Sequence, residues 1–122
     1  MSDYEDFRAS VLTAIQQIPK GRVTSYGHIA KLVDHPRHAR YVGRVLRSLN
    51  REEGLRTPWQ RVVNHRGRIS PRVPSDSCGT QAEILRQEGV VVEVDSMGLF
   101  FVDLHSYGWF PNSISIPIAH PQ

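Results

Sequence analysis

One thiol, six imidazoles and thirteen guanidinium groups are the reactive or recognising side chains this chain has to offer. The thiol, Cys78, follows Ser75-Asp76-Ser77, which supplies no base or cation to activate it, so the surrounding sequence marks no nucleophile. The histidines stand at 28, 35, 38, 65, 105 and 120, in no metal-ligand spacing with a neighbouring acid, and Cys78 has no CxxC partner. No metal is expected. There is no GxGxxG and no P-loop pattern, so no cofactor is expected either. No pair of carboxylates is placed for acid–base work. On residue types and spacing alone, the chain shows no catalytic centre.

The arginines are more informative. Between Arg37 and Arg72 stand ten arginines (37, 40, 44, 47, 51, 56, 61, 66, 68 and 72) against two acids, Glu52 and Glu53. The net charge of the whole chain is only +3, so the remainder is net acidic. Only two basic residues are lysines, although lysine would serve solubility equally well. Arginine presents a planar fork that matches phosphate and base edges. A polyanion, above all nucleic acid, suits such a segment, with a solvated basic face as the plain alternative.

The elements that must position these groups follow from periodicity. The 122 residues suffice for one domain with one core, and hydrophobic content of 39% with 22% charged residues fits a globular protein. No apolar run approaches the roughly 20 residues of a membrane span, and the acidic start Met1–Asp6 resembles no targeting peptide. With a single cysteine, no internal disulfide is possible. A helix is expected over 3–18, capped by Asp3, with Phe7, Val11, Ala14, Ile15 and Ile18 on one face. Thr24 or Ser25 caps a second helix that carries Tyr26 in its first turn and buries Ile29, Ala30 and Val33; Pro36 closes it. A third helix is expected from 37 to 50. In it Ala39, Val42, Leu46 and Leu49 form an apolar stripe, and Arg40, Arg44, Arg47 and Arg51 form a second stripe roughly 150° away. Gly43 leaves a gap beside the arginine row. Two short helices of this kind, the second basic outward, read as a helix-turn-helix.

Residues 51–57 read as a linker, 61–64 as a short strand, and 66–79 as an irregular surface loop. Thr80-Gln81-Ala82-Glu83 opens a helix to Glu88 that Gly89 closes. Residues 90–94 and 99–103 read as a hairpin around Asp95–Gly98. The stretch from His105 has no period; Trp109 and Phe110 are expected to dock on the body, and the chain beyond Pro111 to form a mobile tail. The expected organisation is thus a DNA-binding domain over 1–110 and a Pro-rich tail over 111–122.

Among these elements the stretch from Thr57 to Ser70 stands apart. Pro58 sets a turn, and Trp59, of a type that is normally well buried, comes directly after it beside an arginine-rich loop. Pro58-Trp59-Gln60-Arg61-Val62-Val63 resembles the Pro-Cys-His-Arg-Val active-site motif of the O6-alkylguanine-DNA alkyltransferases, with Trp in place of the reactive Cys. That replacement is similar to the alkyltransferase-like proteins, which keep the fold without the nucleophile. Val23-Thr24-Ser25-Tyr26-Gly27-His28-Ile29-Ala30, Ala39-Arg40-Tyr41-Val42-Gly43 and Gln87-Glu88-Gly89-Val90 resemble further segments of the family, in family order. Together they cover about residues 5–104.

The resemblance implies a mainly α fold with a small β-hairpin: a winged-helix-like helix-turn-helix domain of the alkyltransferase C-terminal type. It implies that the helix-turn-helix enters the minor groove, that Tyr26 helps rotate a nucleotide out of the stack and that Arg40 fills the vacated space. Gly43, Arg44 and Arg47 complete the DNA-binding set. A lesion pocket is implied from Tyr26, Trp59, Val62, Arg72 and Val73, with Arg72 stacked on the flipped base. Gln60 stands where the catalytic enzymes carry a His, and Glu88 matches the glutamate that would orient it; Glu88 is then left to pair with an arginine such as Arg61. The function implied is a non-enzymatic sensor that binds O6-alkylguanine in double-stranded DNA by base flipping and passes it to nucleotide excision repair proteins. It would be a monomer with no membrane association, nuclear in a eukaryote and otherwise cytoplasmic at the nucleoid. Two alternatives stay open: an active alkyltransferase using Cys78, and a helix-turn-helix transcription regulator reading the major groove.

Overall fold

The acidic first turn Asp3, Glu5 and Asp6 complements the positive end of helix α1 (Asp3–Gln16), and Phe7, Val11, Ala14 and Ile15 form its buried side. The structure, a computed structural model, describes residues 3–69 and 77–114, and of residues 77 and 78 the backbone alone. α1 stops two residues short of the expected end. Tight turns from Gln17 to Ala14 and from Ile18 to Ile15 then bring Ile18 into the core.

Strand β1 (Thr24–Ser25) leads directly into α2 (Tyr26–Leu32). Ser25 is the cap, its side chain accepting the His28 amide at 3.0 Å. α3 (Ala39–Arg47) follows a turn in which Asp34 adopts a φ of +65°. The expected third helix, 37–50, is therefore too long at both ends. At its far end the physical reason is Asn50. Its side chain accepts the Glu53 amide at 2.8 Å while Glu53 accepts the Asn50 amide at 3.1 Å, a reciprocal cap that opens a separate helix. This is α4 (Arg51–Arg56), where a linker was expected. Arg51 accordingly leaves the α3 arginine row.

A single 3₁₀ turn, Trp59–Arg61, feeds β2 (Val62–Val63), which lies parallel to β1 in the register Thr24–Val62 and Ser25–Val63. α5 (Ser77–Gln87) starts before the expected Thr80 and ends at Gly89 as anticipated. β3 (Glu93–Val94) and β4 (Phe100–Phe101) form the expected antiparallel hairpin, shorter than its apolar runs. Asp103 then caps a one-turn helix, α6 (Leu104–Tyr107), that no periodicity announced.

Two apolar clusters divide along β2, because successive strand residues face opposite ways. Val62 joins α1, α2 and α3 in the first cluster, and Val63 joins Ala82 and Leu85 of α5, Ile69 and the hairpin region in the second. The C-terminal segment ties both together. Val23 donates to Tyr107 and accepts from Trp109, and Trp109 packs on the first cluster. Phe110 meets the His28 ring edge-on, and His28 Nε2 donates to the Pro111 carbonyl at 2.7 Å. Trp109 and Phe110 dock as expected. Pro111 and Ile114, expected in a tail, also lie against the body, while residues 115–122 fall outside the described part.

Candidate nucleic-acid interface

α2 and α3 pack together so that one face of each borders a groove of about 420 Å³, lined by Tyr26, Gly27, Ala39, Arg40, Gly43, Arg47, Asn64 and His65. Four of the residues expected to meet DNA (Tyr26, Arg40, Gly43 and Arg47) are brought together here. Gly43 has a direct steric role: a Cβ on it would come within 3.3 Å of Arg47 Nη1 and 3.9 Å of the Tyr26 ring. Its bareness lets the arginine fold across the helix towards the tyrosine. Arg44 sits apart from the groove, with its guanidinium 4.9 Å from the centre of the Tyr41 ring. Asn64 and His65 were legible only as a turn. The parallel β1–β2 pairing carries that turn to the mouth of α2, and two-residue strands have no period from which to read such a pairing.

The arginines fall into two groups. Arg8, Arg56, Arg61 and Arg68 pair with Glu53, Glu52, Glu88 and Asp95. Among the described residues no carboxylate pairs with Arg40, Arg44 or Arg47. Their charge is uncompensated on the exposed face of α3, where an incoming phosphate would meet it.

The turn after Pro58 is held from beneath. Arg61 donates from Nε and Nη2 to the two oxygens of Glu88 at 3.0 and 2.9 Å, and from Nη1 to the Ile18 carbonyl at 2.8 Å. Gln60 Nε2 donates to the same Glu88 at 2.8 Å. Gln81, buried at 1% exposure, donates to the carbonyls of Gln60 and Val62. Burial pushes the Glu88 carboxyl up, but hydrogen bonds from Arg61 and Gln60 and the Arg61 charge outweigh it, leaving Glu88 below the usual carboxylate range. The expected pairing of Glu88 with Arg61 is therefore present. The engagement of Gln60 in the same network was missed, although its place two positions after Pro58 was its only sequence signal.

Trp59 is half-buried and packs on the first apolar cluster. Val62 has no exposed surface, so it backs the turn from within the core and offers no face to a ligand. Arg72 and Val73, expected in the lesion pocket, lie outside the described residues, as does the side chain of Cys78. An indole in the first position of the turn is no SN2 nucleophile. The amide beside it has no titratable nitrogen with which to take a proton. Among the described residues no group of three or more His, Cys, Asp or Glu could hold a metal ion, and no helix is long and apolar enough to cross a membrane.

Residues 6–90 match the family model of the 6-O-methylguanine DNA methyltransferase DNA binding domain. Alkyltransferase-like protein 1 of Schizosaccharomyces pombe is 38% identical over 107 residues, covering 88% of this chain and 97% of its own. A DNA base-flipping protein of Escherichia coli is 41% identical over 109 residues, covering 89% of this chain and 78% of its own. The crystal structure of S. pombe Atl1 in complex with damaged DNA containing O6-carboxymethylguanine is similar with a TM-score of 0.81 at 38% identity, over 88% of this chain and 97% of the other.

Proposed function

The chain belongs to the family of the 6-O-methylguanine DNA methyltransferase DNA binding domain, and from that premise we propose that it is a DNA damage sensor that binds O6-alkylguanine without removing the alkyl group. The observation that carries this reading is the turn at Pro58–Arg61. Trp59 stands in the sequence where the resembling motif has its reactive cysteine, and the turn that carries it has Glu88 committed to Arg61 and Gln60.

The groove of α2 and α3 takes the duplex. Taking a base out of the stack costs a few kcal/mol. Arg40, with no carboxylate partner among the described residues, fills the gap, and its charge suits the negative minor groove. Tyr26, across the same groove, turns the nucleotide outward. An O6-alkyl group adds apolar surface and removes the N1 proton of guanine. Trp59 supplies apolar area for the alkyl group, and Arg72 over the base plane adds a cation–π contact of about 0.5–2 kcal/mol. Val73 completes the pocket. A base held there and left unrepaired has to be passed on, and nucleotide excision repair proteins are the partners this role requires. The protein acts as a monomer on one lesion.

The enzyme reading is tested by incubating stoichiometric protein with a duplex carrying one O6-methylguanine labelled in its methyl group. The label is expected to stay on the DNA. Label on the protein would overturn the sensor reading, and its loss in Cys78→Ser would assign the transfer to that thiol.

A further inference from the structure

A depression of about 200 Å³ lies where the start of α1 meets the turn between α2 and α3, lined by Asp3, Tyr4, Phe7, His35, His38 and Tyr41. It shares no residue with the groove that faces DNA. Tyr4 and Phe7 stand three residues apart on α1, and His38 and Tyr41 three apart at the start of α3, a spacing that sets side chains beside each other. The turn between α2 and α3 is held by its backbone. The His35 amide donates to the Ala30 carbonyl and the His38 amide to the His35 carbonyl, both at 2.9 Å. The two imidazoles are thereby brought ring to ring at 5.2 Å. Phe7 meets them at 5.4 and 5.9 Å, and Tyr41 lies 5.2 Å from His38.

This ring cluster is open at its outer side. Phe7 is buried, whereas Tyr4 and Tyr41 each keep 38% exposure. His38 Nδ1 is covered and has no hydrogen-bond partner, so ring packing alone holds that imidazole. The surroundings are negative. Asp3 lines the depression, and Asp3 and Asp6 line an adjoining hollow of about 410 Å³ that shares Phe7 and His35. No lysine or arginine lines either one, and among the described residues no cation pairs with Asp3 or Asp6.

Aromatic faces attract positive charge, and a carboxylate beside them adds to the attraction. The same acids repel a phosphate backbone, so DNA is not the occupant. Between the two cationic side chains, the guanidinium suits the site better. It is flat, stacks on rings, forks onto a carboxylate and is weakly hydrated, whereas an ammonium is a strongly hydrated point charge. Arg44 shows the fit within the chain, its guanidinium 4.9 Å from the centre of the Tyr41 ring.

We infer that this depression is a docking site for an arginine side chain of a partner protein, stacked on the exposed rings with its fork on Asp3. The inference is independent of the DNA reading, because the two sites have separate linings. It gives a protein that only binds its target a surface by which another protein can find it.

The test titrates a blocked pentapeptide, one arginine among glycines and serines, into the isotope-labelled full chain and follows the backbone amide resonances. Saturable shifts are expected at Tyr4, Phe7, His35, His38 and Tyr41, with a dissociation constant of about 1 mM or tighter, and none at Tyr26 or Gly43. Citrulline in place of the arginine keeps the shape without the charge and should bind about fivefold more weakly or worse. Lysine in its place should also bind more weakly. Asp3→Asn combined with Asp6→Asn, and separately Tyr4→Ala, should weaken the arginine peptide by about fivefold without lowering affinity for a duplex, the amide spectrum confirming that each variant is folded. Absence of saturable shifts, shifts centred on the groove, equal binding of the citrulline or lysine peptide, undiminished binding by both variants, or a fall in their duplex affinity would overturn the inference.

Discussion

In the proposed sensor, position 59 has an indole where an alkyl acceptor would need a thiolate, and the residues at 60, 61 and 88 form one hydrogen-bonded network beside it. With Gln60 in place of an imidazole, Glu88 has no base to orient and instead anchors the turn through a forked contact with Arg61. Both partners are largely buried, with side-chain exposures of 16% and 11%. Removing one partner of such a pair strands the other, so Arg61→Ala is expected to cost about 3–5 kcal/mol, read as a fall in Tm. The pair also sets an acid limit on stability. Glu88 binds its proton less readily folded than unfolded, so its contribution is present above the ordinary carboxylate range and fades as pH falls through the lower folded value. Glu53 behaves likewise, its carboxyl brought down to about 2 by the Arg8 hydrogen bond and then by the Asn50 amide. Glu88→Gln should lower the neutral-pH Tm and flatten its decline on acidification; an unchanged decline would remove Glu88 from this role. The Arg61–Glu88 contact could be anticipated from residue types at matching positions. The part played by Gln81 could not, because one amide bridging two carbonyls leaves no pattern in sequence.

At the level of elements, the split between α3 and α4 decides which arginines share the open face of α3. The apolar stripe ran on through Leu49 and suggested one helix, yet Asn50-Arg51-Glu52-Glu53 is itself a cap signature, hidden within the arginine periodicity. Arg8 fixes the corner by donating to both oxygens of Glu53 at 2.8 and 3.0 Å and to Ser48 Oγ at 3.2 Å. Asn50→Ala should cost about 1 kcal/mol of stability in denaturant unfolding, with DNA affinity at fixed folded fraction unchanged. Arg40→Ala should do the reverse. It should weaken binding to every duplex and lower the salt slope by about 0.9, with Tm unaltered, because no partner within the described fold depends on it. The helix-turn-helix was readable because α2 and α3 are local and periodic. The β1–β2 pairing, α6 and the return of Trp109 to Val23 were not, since each is a long-range contact made by two to four residues.

Across the whole molecule, charge is distributed with a purpose that net charge conceals. The acidic remainder balances a basic segment whose arginines divide between internal pairs and the open face of α3. The two apolar clusters meet at Val62 and Val63, directly after the turn that carries Trp59, so that indole is mounted on the seam of the fold. The order of motifs made the family legible from sequence, whereas the approach of Asn64 and His65 to the groove of α2 and α3 became visible only in three dimensions.

In the proposed function, Trp59 converts a repair site into a recognition site. Competition binding with matched duplexes, one carrying a single O6-methylguanine, tests it most directly. Wild type should prefer the damaged duplex by about tenfold or more, the scale of one cation–π contact with added apolar burial. Trp59→Ala should lose most of that preference while still binding undamaged DNA. Equal affinity of wild type for the two duplexes would contradict the account.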